Sequence, residues 1–502
     1  MKLNELIVAS GIVPYGNLSS EIEIDSVVSL ASKASEGSLF FAIEGLHRDG
    51  HAYIAEAVER GARAVVVKKG RGTEFFFCGV PVLEAEDVRS ALAFSMDAIC
   101  GYPSRKLKII AVTGTNGKTS ISYMLCAILA RAGVSFGMIG TSGCFCEGER
   151  VAADSSDPLA NMTTPDPEEL YKVLGYMAQR KTEYVVMEAT SHASVLKKLA
   201  PLHFVCSVFS NLTPEHLDLH SDMEAYFDAK KDVLRRADKI IVNIDDPYGR
   251  RATVECGGAR TITVSADDKN ADFITDAVRR FSYDGICYTL CGGGKRTVLQ
   301  LPVIGDFNIS NSSLAAVCAY EIGIPLACIK GALSEFCGVC GRMQKVNRGL
   351  GVPFHVFVDY AHTPDALENV LSTFRKLKVG DERIVLVFGC GGDRDQTKRS
   401  SMGRIASHLA DEVVVTSDNS RGETTSHIIS QILLGFDDGF DNYTVIPDRK
   451  RAIEHVIREA REGDVIVLAG KGHEKYEIDR RGRHPFDEEA IVAECCKRYR
   501  RK

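Results

Sequence analysis

The stretch from Ile109 to Thr119, IIAVTGTNGKT, constrains this chain more than any other. Ile109, Ile110, Ala111 and Val112 read as the end of a buried strand, and Gly114 and Gly117 open a tight loop. From Lys118 onward Ile121, Met124, Leu125, Ile128 and Leu129 recur at helical spacing. Strand, glycine-rich loop and helix in that order make a cradle for phosphate: the glycines let backbone N–H groups turn toward an anion, and the helix N-terminus adds its partial positive charge. Lys118 is then expected on the outer phosphates and the Thr119 hydroxyl on a magnesium ion. The common form of the pattern has a further glycine where this chain has Val112. Gly114, Thr115, Asn116, Gly117, Lys118, Thr119 and Ser120 are the residues expected to surround the phosphates of ATP.

A chain of 502 residues exceeds one ordinary core, and its length suggests roughly three domains. With 45% apolar and 25% charged residues it has a soluble globular composition. No run approaches the roughly 20 apolar residues that span a bilayer, and the first ten residues lack the pattern of a signal peptide. A cytoplasmic protein without membrane insertion is expected. The net charge of -6 argues against nucleic acid as a partner, and the basic end (Lys497, Arg498, Arg500, Arg501, Lys502) reads as a solvated helix end. Sixteen cysteines without an export signal read as reduced thiols. Cys337-x-x-Cys340 has no second pair at zinc-finger spacing, so no structural metal is expected there.

Residues 1 to about 104 alternate strand-like runs (38–43, 64–67, 81–83) with helical stretches (52–60, 88–99), a small α/β unit. Asp25-Ser26 and the loop from Gly45 to His51 are polar and turn-rich, and on composition alone they read as surface turns. After the linker Gly101-Tyr-Pro-Ser104, strands are expected at 184–187, 204–209 and 240–242 with helices between them, implying a doubly wound, mostly parallel sheet. Ligands of such sheets gather beyond the carboxyl ends of the strands. Glu188 follows one such strand, where it suits either a magnesium ligand or a helix cap. His216 lies in the polar loop after another, and Lys230-Lys231 read as a charged face of a helix over 222–236. A hairpin-rich stretch is expected from 260 to 303, then a helix over 312–321 that Asn308 and Asn311 read as capping.

The pattern resets near Gly341-Arg342-Met343. Beyond it, strands at 356–359, 384–389, 412–416 and 465–469 each run into a polar cluster: Asp359 to His362, Gly391 to Asp395 with Lys398, Asp418 to Glu423, and Gly470 to Glu474. Clusters at successive strand ends of an α/β sheet define one wall of a site.

Taken together these segments resemble the Mur ligase family, ATP-dependent amide-forming enzymes of peptidoglycan stem-peptide synthesis. The motifs are TGTNGKT (Thr113 to Thr119), TTPD (Thr163 to Asp166), MEATSH (Met187 to His192), NLTPEHLDLH (Asn211 to His220), DAK (Asp228 to Lys230), GDFN (Gly305 to Asn308), DYAHTPDAL (Asp359 to Leu367), GCGGDRD (Gly389 to Asp395) and GKGHE (Gly470 to Glu474). The N-terminal DS and GLHRDGH and the C-terminal DNSR are most similar to those members that add a third residue to UDP-N-acetylmuramoyl-L-alanyl-D-glutamate. In the form adding meso-diaminopimelate the last motif is DNPR.

The resemblance implies three domains: a small N-terminal α/β domain for the uridine nucleotide (1–104), a central P-loop ATPase with a mostly parallel sheet (105–341), and a C-terminal Rossmann-like domain for the amino acid (342–502). By the same resemblance Ser26 would contact the uridine end, with Thr163, Thr164, Thr190 and Lys198 on the muramoyl-dipeptide. Glu188 and His216 would bind magnesium with Thr119, and Lys230 would carry a carbamate derived from carbon dioxide and serve as a ligand in that form, which overrides its reading as a charged face. Lys118, Lys230, His216 and Glu188 form the implied catalytic set. Asn308, Arg342 and His362 would hold the nucleotide, while Arg394, Asp418, Asn419, Ser420, Arg421, Gly470 and Glu474 would meet the incoming amino acid. The implied protein is a monomer acting on small molecules.

Several positions depart from the family pattern: Val27 stands where arginine commonly follows DS, Thr190 where serine is more frequent, Gln344 where glutamate follows GRM, and Ser420 in place of the proline of DNPR. Leu196 and Lys198 stand where diaminopimelate-adding members carry glutamine and arginine; lysine still meets a phosphate, whereas leucine donates no side-chain hydrogen bond. Rival expectations are L-lysine as third residue, the ligase adding D-alanyl-D-alanine, folylpolyglutamate synthetase, and a non-catalytic scaffold. A scaffold has no use for Lys118, Thr119, Glu188, His216 and Lys230 together.

Overall fold

The computed structural model describes residues 1–16, 18, 21–45, 48–151, 162–214, 220–257 and 260–500. Two compact units emerge: Met1–Asp276 with Leu290–Thr297 and Ser310–Leu333, and Ala277–Thr289 with Val298–Ile309 and Ser334–Lys502.

The first unit contains two sheets. In the N-terminal one the order is Val13–Tyr15, Val82–Ala85, Ala62–Lys68, Ser38–Phe41, Ser26–Val28, with only the first pairing antiparallel. Helix Val88–Ile99 starts where the Asp87 carboxylate accepts the N–H groups of Arg89 and Ser90. Its buried face, with Leu92 and Met96, belongs to one apolar core that runs on to Leu170, Leu174 and the central strands.

In the central sheet Lys108–Thr113 lies between Tyr184–Glu188 and Cys206–Phe209, parallel to both. Phe136–Gly140 continues the parallel sheet on one side, Lys239–Asn243 and Arg260–Ser265 on the other. Ile109 to Val112 are fully buried, as strands covered by helices on both faces require. All these strands run the same way, so Thr113, Gly140, Glu188 and Phe209 end on one edge. Two expectations need correction. Arg260–Ser265 joins the parallel sheet instead of opening a hairpin. Helix Phe307–Glu321 begins before Ser312, which puts Asn308 in its first turn, where its amide donates to Ile304 O at 2.7 Å; this is not a capping role.

The sheet of the second unit has the order Gln344–Lys345, His355–Asp359, Val465–Ala469, Ile384–Phe388, Glu412–Val415, Tyr443–Val445, with the first pairing antiparallel and the rest parallel. Helix Pro364–Leu377 shows why these segments fold as they do: Pro364 opens it, Thr363 caps it, and Leu367, Val370, Leu371 and Phe374 form its buried stripe. The fully buried Arg449 donates to Glu488, Ser417 O and Ala469 O, tying together two strand ends that lead into polar loops. A hairpin of Tyr476–Asp479 and Gly482–Pro485 follows. Among the described residues no helix is long and apolar enough to cross a membrane.

Candidate active site

The phosphate loop follows directly from its sequence. Gly117 precedes helix Lys118–Arg131 in a left-handed conformation, and Thr119 and Ser120 fill the first turn. Gly114 has φ +141°, and a Cβ there would sit 2.0 Å from Ser210 Oγ, so only glycine lets the loop approach the neighbouring strand end. The loop is pinned from that side: Thr115 N–H donates to Asn211 O (2.8 Å), Asn116 N–H to Asn211 Oδ1 (2.9 Å), and Ser210 Oγ to Asn116 O (2.6 Å). Lys118 Nζ donates to Gly114 O (3.0 Å) and Thr115 O (2.7 Å), folded over the loop.

Glu188 ends the adjacent strand with no exposed surface. Its Oε2 accepts from Thr119 Oγ1 (3.0 Å) and Thr141 Oγ1 (3.1 Å), and its Oε1 accepts from Thr141 N–H (3.2 Å). A Cβ on Gly140 would lie 2.2 Å from Oε1, so the carboxylate uses the space that this glycine leaves. Burial pushes the Glu188 pKa up, opposed by the Lys118 charge and by the bonds from Thr141 and Thr119. A carboxyl whose folded-state pKa lies above its ordinary 4.5 binds its proton more tightly when folded, so it costs stability as pH rises through that window and stays costly at neutral pH. Glutamine is isosteric and can donate to both threonine hydroxyls while accepting from Thr141 N–H. Glu188→Gln is therefore expected to raise the neutral-pH melting temperature, measured without added metal, while lowering turnover by about a hundredfold. A variant that melts lower would contradict this electrostatic reading.

Lys230, on helix Met223–Arg235, is 1% exposed, and its Nζ donates to Gly114 O at 2.8 Å. The ammonium lies 4.7 Å from the Tyr226 ring centroid, and Tyr226 OH lies 3.2 Å from Thr115 Oγ1. Reading Lys230 and Lys231 as a solvated face is thus incorrect: Lys231 is buried as well, held by Asp228 and Glu255. His216 lies outside the described residues.

Thr164 Oγ1 donates to Glu188 O (2.8 Å) and meets Thr190 Oγ1 (3.1 Å), and Thr163 Oγ1 meets Thr141 Oγ1 (3.1 Å). The buried Lys198 pairs with Asp166 at 2.7 Å and donates to Thr164 O. Asp166 and Lys198 line a cavity of about 480 Å³ together with Ser29, Arg48, Arg89 and Leu196 among others. Ser26 is bonded to Ser38 in the N-terminal sheet and does not line that cavity.

In the second unit, two polar groups form at the carboxyl edge of the sheet. Asp359 accepts the N–H groups of Met343 (2.6 Å) and Ala361 (2.7 Å), and burial pushes its pKa up against those bonds and the Arg342 charge. Arg342 stands over the Tyr360 ring, and His362 Nδ1 lies 2.8 Å from Tyr360 O. In the other group Asn419 Nδ2 donates to Glu474 Oε2 (2.8 Å), while Asn419 Oδ1 accepts from Lys471 Nζ (3.1 Å) and Ile478 N–H (2.9 Å). Lys471 is fully buried and lies 3.4 Å from Asp418 Oδ1, and Gly470 packs beside that carboxylate. Arg421 Nη1 donates to Gly392 O (2.9 Å) and Asn419 O (3.3 Å). Arg394 is exposed on the loop before helix Lys398–Leu409.

Residues 23–99 match the Mur ligase family catalytic domain, 112–319 the Mur ligase middle domain, and 341–472 the Mur ligase glutamate ligase domain. The chain belongs to the Mur ligase family. Two relatives named UDP-N-acetylmuramoyl-L-alanyl-D-glutamate--2,6-diaminopimelate ligase, from Clostridium botulinum and Clostridioides difficile, are each 38% identical to this Mur ligase, over 477 and 500 residues. Those alignments cover 95% and 99% of this chain, and the same shares of the relatives. A solved structure of UDP-N-acetylmuramoyl-L-alanyl-D-glutamate--2,6-diaminopimelate ligase superposes with a TM-score of 0.75 at 27% identity, covering 100% of this chain and 99% of that one.

Sequence reasoning missed Thr141, which bonds Glu188 through both backbone and hydroxyl. Its signal was available: it directly follows the strand end at Gly140, on the same edge as Glu188. Lys471, inside the Gly470 to Glu474 cluster, was also missed as a site residue; its side chain turns inward and is fully buried.

Proposed function

We propose that this Mur ligase joins the D-glutamyl carboxyl group of UDP-N-acetylmuramoyl-L-alanyl-D-glutamate to an amine of meso-2,6-diaminopimelate, at the expense of ATP, in peptidoglycan biosynthesis. The observation that carries the reading is the convergence of Lys118, Thr119, Glu188 and Lys230 on one phosphate loop, in a chain aligned nearly end to end with ligases of that name.

A carboxylate resists amines because it is anionic and has no leaving group. Transfer of the ATP γ-phosphoryl group to it gives an acyl phosphate; the amine then attacks the carbonyl carbon and phosphate leaves. Charge accumulates on crowded oxygens in the first step, so the main task of the residues is positioning and charge neutralisation. Lys118 would exchange its two backbone carbonyls for phosphate oxygens, with Gly114, Thr115, Asn116, Gly117 and Ser120 shaping the cradle. Thr119 Oγ1 and Glu188 Oε2, 3.0 Å apart at the loop, are hard oxygen donors that suit magnesium; with them we group His216 and Lys230 as its carbamate. Magnesium, when bound, offsets charge on the phosphate oxygens. Lys230 as an ammonium would repel a cation, whereas the neutral amine plus carbon dioxide gives a carboxylate-like ligand.

We assign Ser26, Thr163, Thr164, Thr190 and Lys198 to the uridine nucleotide and its dipeptide; of these, Lys198 is supported by the cavity that it lines. Asn308, Arg342 and His362 are assigned to the adenine nucleotide, and Arg394, Asp418, Asn419, Ser420, Arg421, Gly470 and Glu474 to the amino acid. In this reading the chain is a cytoplasmic monomer with domains at 1–104, 105–341 and 342–502. The test is phosphate release with ATP, magnesium, the nucleotide-dipeptide and each candidate amine. Release requiring every component and meso-diaminopimelate is expected; untouched ATP would overturn the proposal.

A further inference from the structure

Loop Asp418–Arg421 carries the guanidinium proposed to read the amino acid, and hairpin Tyr476–Pro485 holds it on both sides of that residue. Arg421 N–H donates to Ile478 O (3.1 Å), and Ile478 N–H donates in return to Asn419 Oδ1 (2.9 Å). Arg480 Nε donates to Gly422 O (2.9 Å), and Ser417 Oγ to Glu477 Oε1 (2.7 Å). These bonds are needed because Arg421 has φ +48°, in the left-handed region that an L side chain disfavours. The hairpin fixes the Arg421 N–H, Asp393 Oδ2 accepts the Gly422 N–H of the peptide unit that follows it (2.8 Å), and Arg480 fixes the unit after that through Gly422 O, so the backbone around the strained residue is held on both sides.

We propose that Arg480 is a positioning residue for amino-acid selection, holding Gly422 O so that Arg421 stays left-handed with its guanidinium against Gly392 and Asn419. This rests on the reading above in which Arg421 meets the distal carboxylate of meso-diaminopimelate. Arg480 itself is exposed and acts through the loop, not on substrate.

Arg480→Ala is expected to raise KM for meso-diaminopimelate about tenfold while kcat and the KM for ATP stay within about twofold. Arg480→Gln places an amide N–H where Arg480 Nε stands, keeping a donor for Gly422 O without the positive charge, and its KM for meso-diaminopimelate is expected to stay within about threefold of the parent. A neutral amide does not attract carboxylates, so this variant separates loop positioning from attraction by the Arg480 guanidinium. An unchanged KM in Arg480→Ala, a parallel rise in the KM for ATP, or an Arg480→Gln variant no better than Arg480→Ala overturns the proposal. The parent enzyme is run alongside: a parent inactive with meso-diaminopimelate removes the functional reading, whereas an active parent matched by Arg480→Ala removes only this inference.

Discussion

Replacing Lys230 with alanine is expected to cut turnover by about a thousandfold, comparable to losing a principal electrostatic group in a closed site. The side chain is buried, its nitrogen is 2.8 Å from the carbonyl of Gly114, and the same carbonyl accepts from Lys118. A cation at this depth beside a phosphate loop could simply be a second phosphate contact. The carbamate assignment makes a sharper claim, since it turns the position into an oxygen donor. The two differ in what repairs the alanine variant: a lost ammonium is replaced by small amines, a lost carbamate by small carboxylic acids such as acetate or formate. Partial rescue by carboxylic acids, with the KM for the amino acid unchanged, is expected in steady-state assays. Ordinary activity in Lys230→Ala removes the carbamate altogether.

Selection between meso-diaminopimelate and L-lysine is the second large effect. The two share an α-amino acid and a side-chain amine, but only the first has a distal carboxylate. Arg421 spends Nη1 on two backbone carbonyls, and among the described residues Nε and Nη2 make no hydrogen bond. That edge matches a carboxylate in a two-bond fork. L-lysine would leave the guanidinium unpaired against another cation, a mismatch worth about a thousandfold or more in kcat/KM. Arg421→Ala should lose most of that preference, with the kcat/KM for meso-diaminopimelate down by about a hundredfold or more and L-lysine little changed. Equal turnover of both amines by the parent enzyme would refute the assignment.

Much of this architecture was legible because its signals are local. The apolar run before Gly114, the glycines, and the periodic helix after Lys118 each report on neighbouring residues, and the structure has them as strand, loop and helix. Clusters at strand ends were legible for the same reason. The losses come where a residue's environment is made by distant chain. Lys230 and Lys231 are adjacent and chemically identical, yet one points under a loop more than a hundred residues away and the other pairs with Asp228 and Glu255. Asn308 looked like a cap because the apolar periodicity starts after it, but the helix already begins at Phe307. The hairpin Tyr476–Pro485 escaped notice because its strands, YEID and GRHP, are short, charged and only partly buried, so no alternation of apolar residues marks them. That hairpin accepts the Arg421 N–H at Ile478 O and donates from Arg480 to Gly422 O, so the least readable element is the one that braces this loop.

Activation of the glutamyl carboxylate by the γ-phosphoryl group is tested most directly by isotope transfer. Nucleotide-dipeptide labelled with oxygen-18 in both oxygens of that carboxylate is incubated with ATP, magnesium and meso-diaminopimelate, and the released phosphate is weighed by mass spectrometry. An acyl phosphate requires one labelled oxygen to leave with each phosphate and the other to remain in the new amide. Phosphate released without label would contradict the mechanism, since it would mean that ATP was cleaved by water and not by the carboxylate.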